Sequence, residues 1–340
     1  MSRNNKQNKT VPNTKIVKSL LDAIQDGNEY GSIVSVTLDP SVDLLSEVIR
    51  GIVDIEKLRQ RPRIAYVGNV VTQGGSSGVD SSDDLPFQEL VNSVPKNEKK
   101  VDVFLATLGG SGQQVSRFVN CLRSRFDEVD FIIPSFCMSA GTMFALSGDN
   151  IWMTPNACLG PIDPQIPTKD GRFVPAQALL LLVKQLQKDG DEAMQKGQPV
   201  PWSAVRLIDG IDRKELGDAI TASQYSTMMV KQFLLNYKFK HWTVRETTRV
   251  AVTPEYREAR ATEVANALAS HDRWKNHGHA ISRDVLWDEI KLRIEKPDQN
   301  LERAIKRLWA LSNWIFDKSP VVKLIVSNNY RYVRQTMKQG

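Results

Sequence analysis

Two apolar runs in the first half of the chain, Val101 to Thr107 and Phe131 to Ile133, each stop at a cluster of small residues that opens a helical pattern. The first run ends in Leu108, Gly109 and Gly110. Gln113 to Phe126 then carries Val115, Phe118, Val119, Leu122 and Phe126 on one helical face. The second run stops at Pro134 and passes through Ser135, Phe136, Cys137, Met138, Ser139, Ala140 and Gly141 into an apolar helix, Thr142 to Leu146. Ile151 to Met153 reads as the next strand, closed by Pro155 and Asn156. Strand, helix, strand, helix, strand within roughly 65 residues demands crossover connections, and these produce a parallel sheet. The carboxyl ends of such strands form the binding crevice, so the turns at 109–112 and 139–141 are expected to face one pocket.

The flanking sequence fills in the rest of an α/β core. Residues 1–14 read as a flexible tail, and Lys15 to Ile24 has helical apolar spacing. A strand is expected at Ser32 to Leu38, a helix at Leu44 to Leu58 and a strand at Arg63 to Val71. Gln73 to Asp84 contains GGSSG and DSSDD, which predicts a mobile loop rather than core, and Phe87 to Val94 is helical again. Beyond Gly171 the pattern is mainly helical, over Gln177 to Lys188, Ala204 to Ile208, Arg213 to Lys231 and Thr253 to Ala269. The expected organisation is a tail (1–14), an α/β core (15–175), a mainly helical region completing the core (176–300), and a basic helical extension (301–340).

Composition narrows the function classes. Hydrophobic residues at 41% and charged residues at 25% are ordinary for a globular chain and exclude whole-chain disorder. No apolar run approaches the roughly 18 residues of a membrane span. The polar start, MSRNNKQNKTVPNTK, has no apolar segment behind it, so a cytoplasmic location is expected. Cys121, Cys137 and Cys158 are odd in number and lack metal-type spacing, which reads as reduced thiols. Residues 301–340 hold eight cations against Glu302 and Asp317, an excess of six that equals the net charge of the whole chain. That stretch suits nucleic acid or an acidic partner. The preferred reading is a solvated face of terminal helices, because Trp309, Trp314 and Phe316 fall at helical spacing.

The two turns also carry the chemistry. Gly109 and Gly110 can leave backbone N–H groups pointing inward, as an oxyanion site requires. Ser139 opens a helix, where free N–H groups favour developing negative charge. Taken alone, each turn reads as a packing turn or a helix cap. LGGSGQQV lacks a following GK[ST] and an acidic ribose partner, so it is not read as a nucleotide loop.

Together, LGGSGQQVSRFVNCLR and FIIPSFCMSAGTMFALSGDNIWMTPNACLGPIDPQI resemble the Clp-fold serine peptidases, in particular the serine dehydrogenase proteinase family related to signal peptide peptidase A. The resemblance covers roughly residues 50–170, with a weaker echo at LASHDRWKNHGHAI. It implies a Clp/crotonase-type α/β fold and a serine endopeptidase acting on peptide or unfolded protein. Ser139 would be the nucleophile, with Gly109, Gly110 and the N–H of Ala140 forming the oxyanion site. It further implies a homo-oligomer, and leaves open a partner ATPase, a catalytically inactive peptide-binding relative, or a nucleic-acid-associated protein. No cofactor is implied.

A general base must also be found. Asp163 stands where the Clp proteolytic subunit has histidine. Three readings remain: Lys169 (or Lys184 or Lys188) as a buried lysine base by likeness to signal peptide peptidase A; Asp163 orienting a histidine, His277 or His279; or Asp163 merely pinning its turn. His241 and His271 are poorly spaced for a metal site with the other two, and no metal site is expected.

Overall fold

The computed structural model describes residues 15–71, 77–168 and 171–336. The expected flexible tail, residues 1–14, lies outside them. The crossover reading holds: Arg63–Gly68 (β1), Lys100–Ala106 (β2) and Glu128–Ile133 (β3) run parallel, and β3 pairs in parallel with Asn150–Met153 (β5). Between β3 and β5 lies the short strand Phe136–Cys137 (β4), which leaves the main sheet. It joins Cys158–Leu159 (β6) in parallel, and β6 pairs antiparallel with Ile281–Ser282 (β7).

The C-terminal segment corrects the sequence expectation. After the helix Gln299–Lys318, residues of the expected helical extension form Val321–Ser327 (β8) and Arg331–Gln335 (β9). These extend the main sheet to six strands in the order β9-β8-β1-β2-β3-β5, with β8 antiparallel to both neighbours. Every residue of β8 is buried, which explains the apolar run VVKLIV as a central strand. Ser32 to Leu38 is likewise not one strand: Glu29–Val34 is helical and only Thr37–Leu38 is extended, paired with Ile16–Val17.

Helices cover both sheet faces, and strand alternation sorts side chains between two cores. Ile64, Tyr66, Val103, Leu105, Phe131 and Ile133 face one side, packed on Asp84–Asn92 (α2), Gly112–Arg123 (α3) and Ala140–Ala145 (α4). Ala65, Val67, Phe104 and Ile132 face the other, under Leu44–Arg59 (α1) and Gln299–Lys318. On the first side Phe87 stacks on Phe118 at 4.0 Å between centroids, and Phe144 of α4 meets Phe131 edge-on at 4.8 Å. The helix that Ser139 opens therefore rests on an aromatic floor.

The amino ends of the parallel strands are held by charge. Asp102 is fully buried and takes ion pairs from Arg63 (2.7 Å), Arg59 (2.9 Å) and Arg61 (3.1 Å); Asp130 beside it pairs with Arg59 and Arg61. Burial lowers the Arg63 guanidinium to about 10 despite Asp102. Removing Asp102 leaves the buried Arg63 without its carboxylate partner, while Arg59 and Arg61 keep Asp130. Asp102→Ala is expected to destabilise the protein by about 3–5 kcal/mol, read from urea unfolding midpoints; a change below about 1 kcal/mol would contradict this reading.

Candidate active site

Ser139 sits on a sharp turn between β4 and α4. Gly141 N–H donates to the Met138 carbonyl at 2.8 Å, closing a four-residue turn with Ser139 at its second position. There Ser139 has φ 50° and ψ −117°. This is the type II′ geometry that normally takes glycine, so a serine costs about 1–3 kcal/mol of backbone strain. The strain holds the side chain at the head of the strand-to-helix turn, partly exposed, and Oγ makes no capping hydrogen bond. Thr142 ties this turn to its neighbour: its hydroxyl donates to the Cys137 carbonyl and accepts from Gly160 N–H.

The glycine turn after β2 lies directly against it. Thr107 N–H donates to the Phe136 carbonyl and Met138 N–H to the Thr107 carbonyl, at 3.0 and 2.9 Å. A Cβ on Gly109 would meet Ser139 Cβ at 2.8 Å and Oγ at 3.3 Å. Gly109 is thus required for closeness, and its φ of +116° for the turn itself. Its N–H is engaged by Thr107 Oγ1 at 3.2 Å. Gly110 differs: Val79 N–H donates to the Gly109 carbonyl and Ser111 N–H to the Val79 carbonyl, so the N–H of Gly110 turns to the opposite side. It finds no acceptor among the described residues, and neither does the first helical N–H, that of Ala140.

The segment bearing Val79 also revises an expectation. Residues 77–84 are not loose: Val79 and Asp83 are buried, and Asp80 caps a short turn at Ser81–Asp83. The first residues of the expected loop, 73–76, lie outside the described residues.

Asp163 follows β6 and is 1% exposed. Its Oδ1 is 2.7 Å from Nδ1 of His277. A carboxylate only accepts, so Nδ1 is the donor of this pair; in the neutral tautomer that this contact selects, Nε2 is left as an acceptor. Nδ1 of His271 lies 3.6 Å from Oδ2, longer than a hydrogen bond, and both atoms lack a hydrogen-bond partner among the described residues. Strand direction brings these groups to Ser139's end of the small sheet. Ser139 and Asp163 follow the ends of the parallel strands β4 and β6, while His277 precedes the antiparallel β7.

Residues 79–197 match the ClpP-like SDH-type serine proteinases. The matched segment takes in Gly109, Gly110, Ser139, Ala140 and Asp163, but neither His277 nor the terminal strands. Two uncharacterised proteins of Methanocaldococcus jannaschii are 35% identical over 103 residues and 32% over 94, covering 30% and 28% of this chain. The chain spans about a third of the length of these relatives, 33% and 31%. Among solved structures, two of the 1510-N membrane-bound stomatin-specific protease, one with a substrate peptide, share 18% and 17% identity. They cover 37% of this chain and 60% and 63% of theirs, at a TM-score of 0.27. An enoyl-CoA hydratase of Mycobacterium smegmatis is 14% identical, covering 64% of this chain and 92% of its own, at 0.24. Superpositions at these scores support no assignment.

The remaining candidate bases lie apart from Asp163 or outside the described residues. Lys169 lies outside the described residues. Lys184 and Lys188 are exposed on the helix Ala176–Gln195 (α5), and Lys188 faces Glu192 at 3.8 Å. His279 is exposed and packs against Trp274 rather than Asp163. His271, whose spacing speaks only against a metal site, also stands beside Asp163; its signal is its place in the same LASHDRWKNHGHAI segment as His277. No group of three metal-ligating side chains occurs among the described residues, nor does any helix long and apolar enough to cross a membrane. The C-terminal cations are largely engaged by acids: Arg303 with Asp26, Lys306 with Glu302, Arg331 with Asp43, Arg334 with Asp80 and Asp83. Lys338 lies outside the described residues.

Proposed function

We propose that this chain is a serine peptidase that hydrolyses peptide bonds through an acyl-enzyme on Ser139, with His277 as general base and Asp163 as its orienting partner. The observation that carries the reading is the strained Ser139 turn packed on Gly109 beside two unengaged N–H groups. Strain of this kind at a non-glycine residue clusters at active sites, where it places a reacting atom.

In the first step Ser139 Oγ bonds to the substrate carbonyl carbon and its proton passes to His277 Nε2. The oxyanion accepts from the N–H groups of Gly110 and Ala140, a contact that strengthens as charge develops. Collapse breaks the C–N bond; the leaving amine takes the proton from His277, and an ester remains on Ser139. Water then attacks the ester and gives its proton to His277. The second collapse releases the carboxylic acid and returns the proton to Ser139 Oγ. Asp163 accepts from Nδ1 throughout and stabilises the imidazolium formed in each half-reaction. An extended peptide or unfolded segment is the substrate class, and the working form is a homo-oligomer.

A fluorophosphonate probe tests the reading, because it phosphonylates only an activated serine. Covalent modification of the wild-type protein at the peptide bearing Ser139, absent in Ser139→Ala, is expected. A folded wild-type protein that takes up no probe would overturn it.

A further inference from the structure

Lys323 is a charged side chain at the middle of a strand buried on both faces, and it is 0% exposed. It lies outside the segment that matches the SDH-type family. Its Nζ donates to the Gly78 carbonyl at 2.6 Å and pairs with Asp83 at 2.6 Å. Asp80 stands 3.6 Å away. Arg334 of β9 closes the cluster on Asp80 and Asp83, both at 3.1 Å, and Tyr66 donates its hydroxyl to Asp83 at 2.7 Å. Two cations and two carboxylates thus balance, with Lys323 and Asp83 fully buried and Asp80 reaching the surface.

The cluster is built around the segment that carries the glycine turn. In the β1–β8 register Lys323 stands opposite Gly68, where any Cβ would meet the Ser77 carbonyl at 2.3 Å. The missing side chain lets Ser77–Gly78 lie over the sheet, within reach of the ammonium. One residue on, Val79 makes the two hydrogen bonds that fix Gly109 and Ser111, at 2.7 and 2.8 Å. A Cβ on Gly110 would meet Val79 O at 2.3 Å, so strap and turn are in close backbone contact.

We infer that Lys323 is a positioning residue for the oxyanion turn: by holding the Gly78 carbonyl it anchors the strap whose Val79 sets the direction of the Gly110 N–H. The terminal hairpin thereby acts on a site more than 200 residues earlier in the chain. The inference rests on the peptidase reading only for its kinetic consequence; the anchoring is testable alone. Burying a lysine here is costly unless the ammonium is used, and a Met or Leu would complete the strand without a carboxylate partner.

The experiment compares wild type with Lys323→Met and with the charge-balanced Lys323→Met/Asp83→Asn, which keeps Arg334 opposite Asp80. The double variant guards against a single variant that fails to fold. In the folded variant, amide hydrogen exchange at Val79 and Ser111 is expected to accelerate at least about tenfold while amides of β2 and β3 stay protected. The phosphonylation rate at Ser139 and kcat for a peptide substrate should fall roughly 10- to 100-fold with KM little changed, since a misdirected N–H weakens only transition-state contacts. Unchanged exchange at Val79 and Ser111 overturns the anchoring, whatever the activity. Accelerated exchange with wild-type kcat overturns the role at the oxyanion turn. A wild-type protein that no probe labels, yet whose strap loosens in the variants, refutes the peptidase reading and with it that role, leaving the anchor itself standing.

Discussion

Replacement of Ser139 by alanine is expected to reduce peptide turnover about 10⁶-fold, with any remainder arising from binding and the N–H groups of the turn. Among the described residues no other serine or threonine has a positive φ. The effect should appear in kcat rather than KM, because Oγ bonds to the substrate only on the reaction path. Alanine keeps the Cβ and hence the strain at φ 50°, so the fold and substrate contacts are retained. Ser139→Gly should be equally inactive but no less stable than Ser139→Ala, since glycine takes a positive φ without penalty. Steady-state kinetics with thermal unfolding on the same samples checks both. Residual turnover above about one per cent of wild type would remove Ser139 from the mechanism.

The second large effect concerns the pair Asp163 and His277. His277→Ala and Asp163→Asn are each expected to lower kcat about 10⁴-fold. The reasons differ. Alanine removes the proton acceptor, whereas asparagine can present an N–H to Nδ1 and reverse the tautomer, so that Nε2 carries a hydrogen and cannot accept one. The double variant should be little worse than either single, because the two act as one unit. His271→Ala, His279→Ala and Lys169→Ala should remain within about threefold of wild type. If Lys169→Ala abolishes turnover and His277→Ala does not, the proton acceptor is the lysine and the Asp163–His277 pair only holds the loops together.

Much of this site is legible in the chain itself. The Gly-Gly turn after Val101 to Thr107 and the Ser-Ala-Gly turn after Phe131 to Ile133 are local signals: apolar alternation ends, small residues follow, and helical spacing begins. The parallel sheet and its carboxyl-end crevice follow from the order of those elements. The C-terminal segment was harder to read. VVKLIV contains a lysine, and the surrounding cations suggest a solvated surface unless the partners Asp80 and Asp83 are known. Residues 77–84 mislead in the same way, since Gly, Ser and Asp mark a loop equally when solvated and when a buried cation holds them. The strain at Ser139 left no mark in sequence, because serine is also an ordinary helix cap.

The sequence by itself determined the two turns, the crossover order and the residue types that could attack a carbonyl and stabilise its oxyanion. These depend on neighbours within a few residues, where backbone sterics and side-chain period decide the outcome. Only the tertiary structure decided which imidazole meets Asp163, across 114 residues, and which cation meets Asp83, across 240. Such partners are chosen by strand pairing, β6 with β7 and β1 with β8. Pairing register is set by the fit of two whole cores, which short-range spacing cannot report.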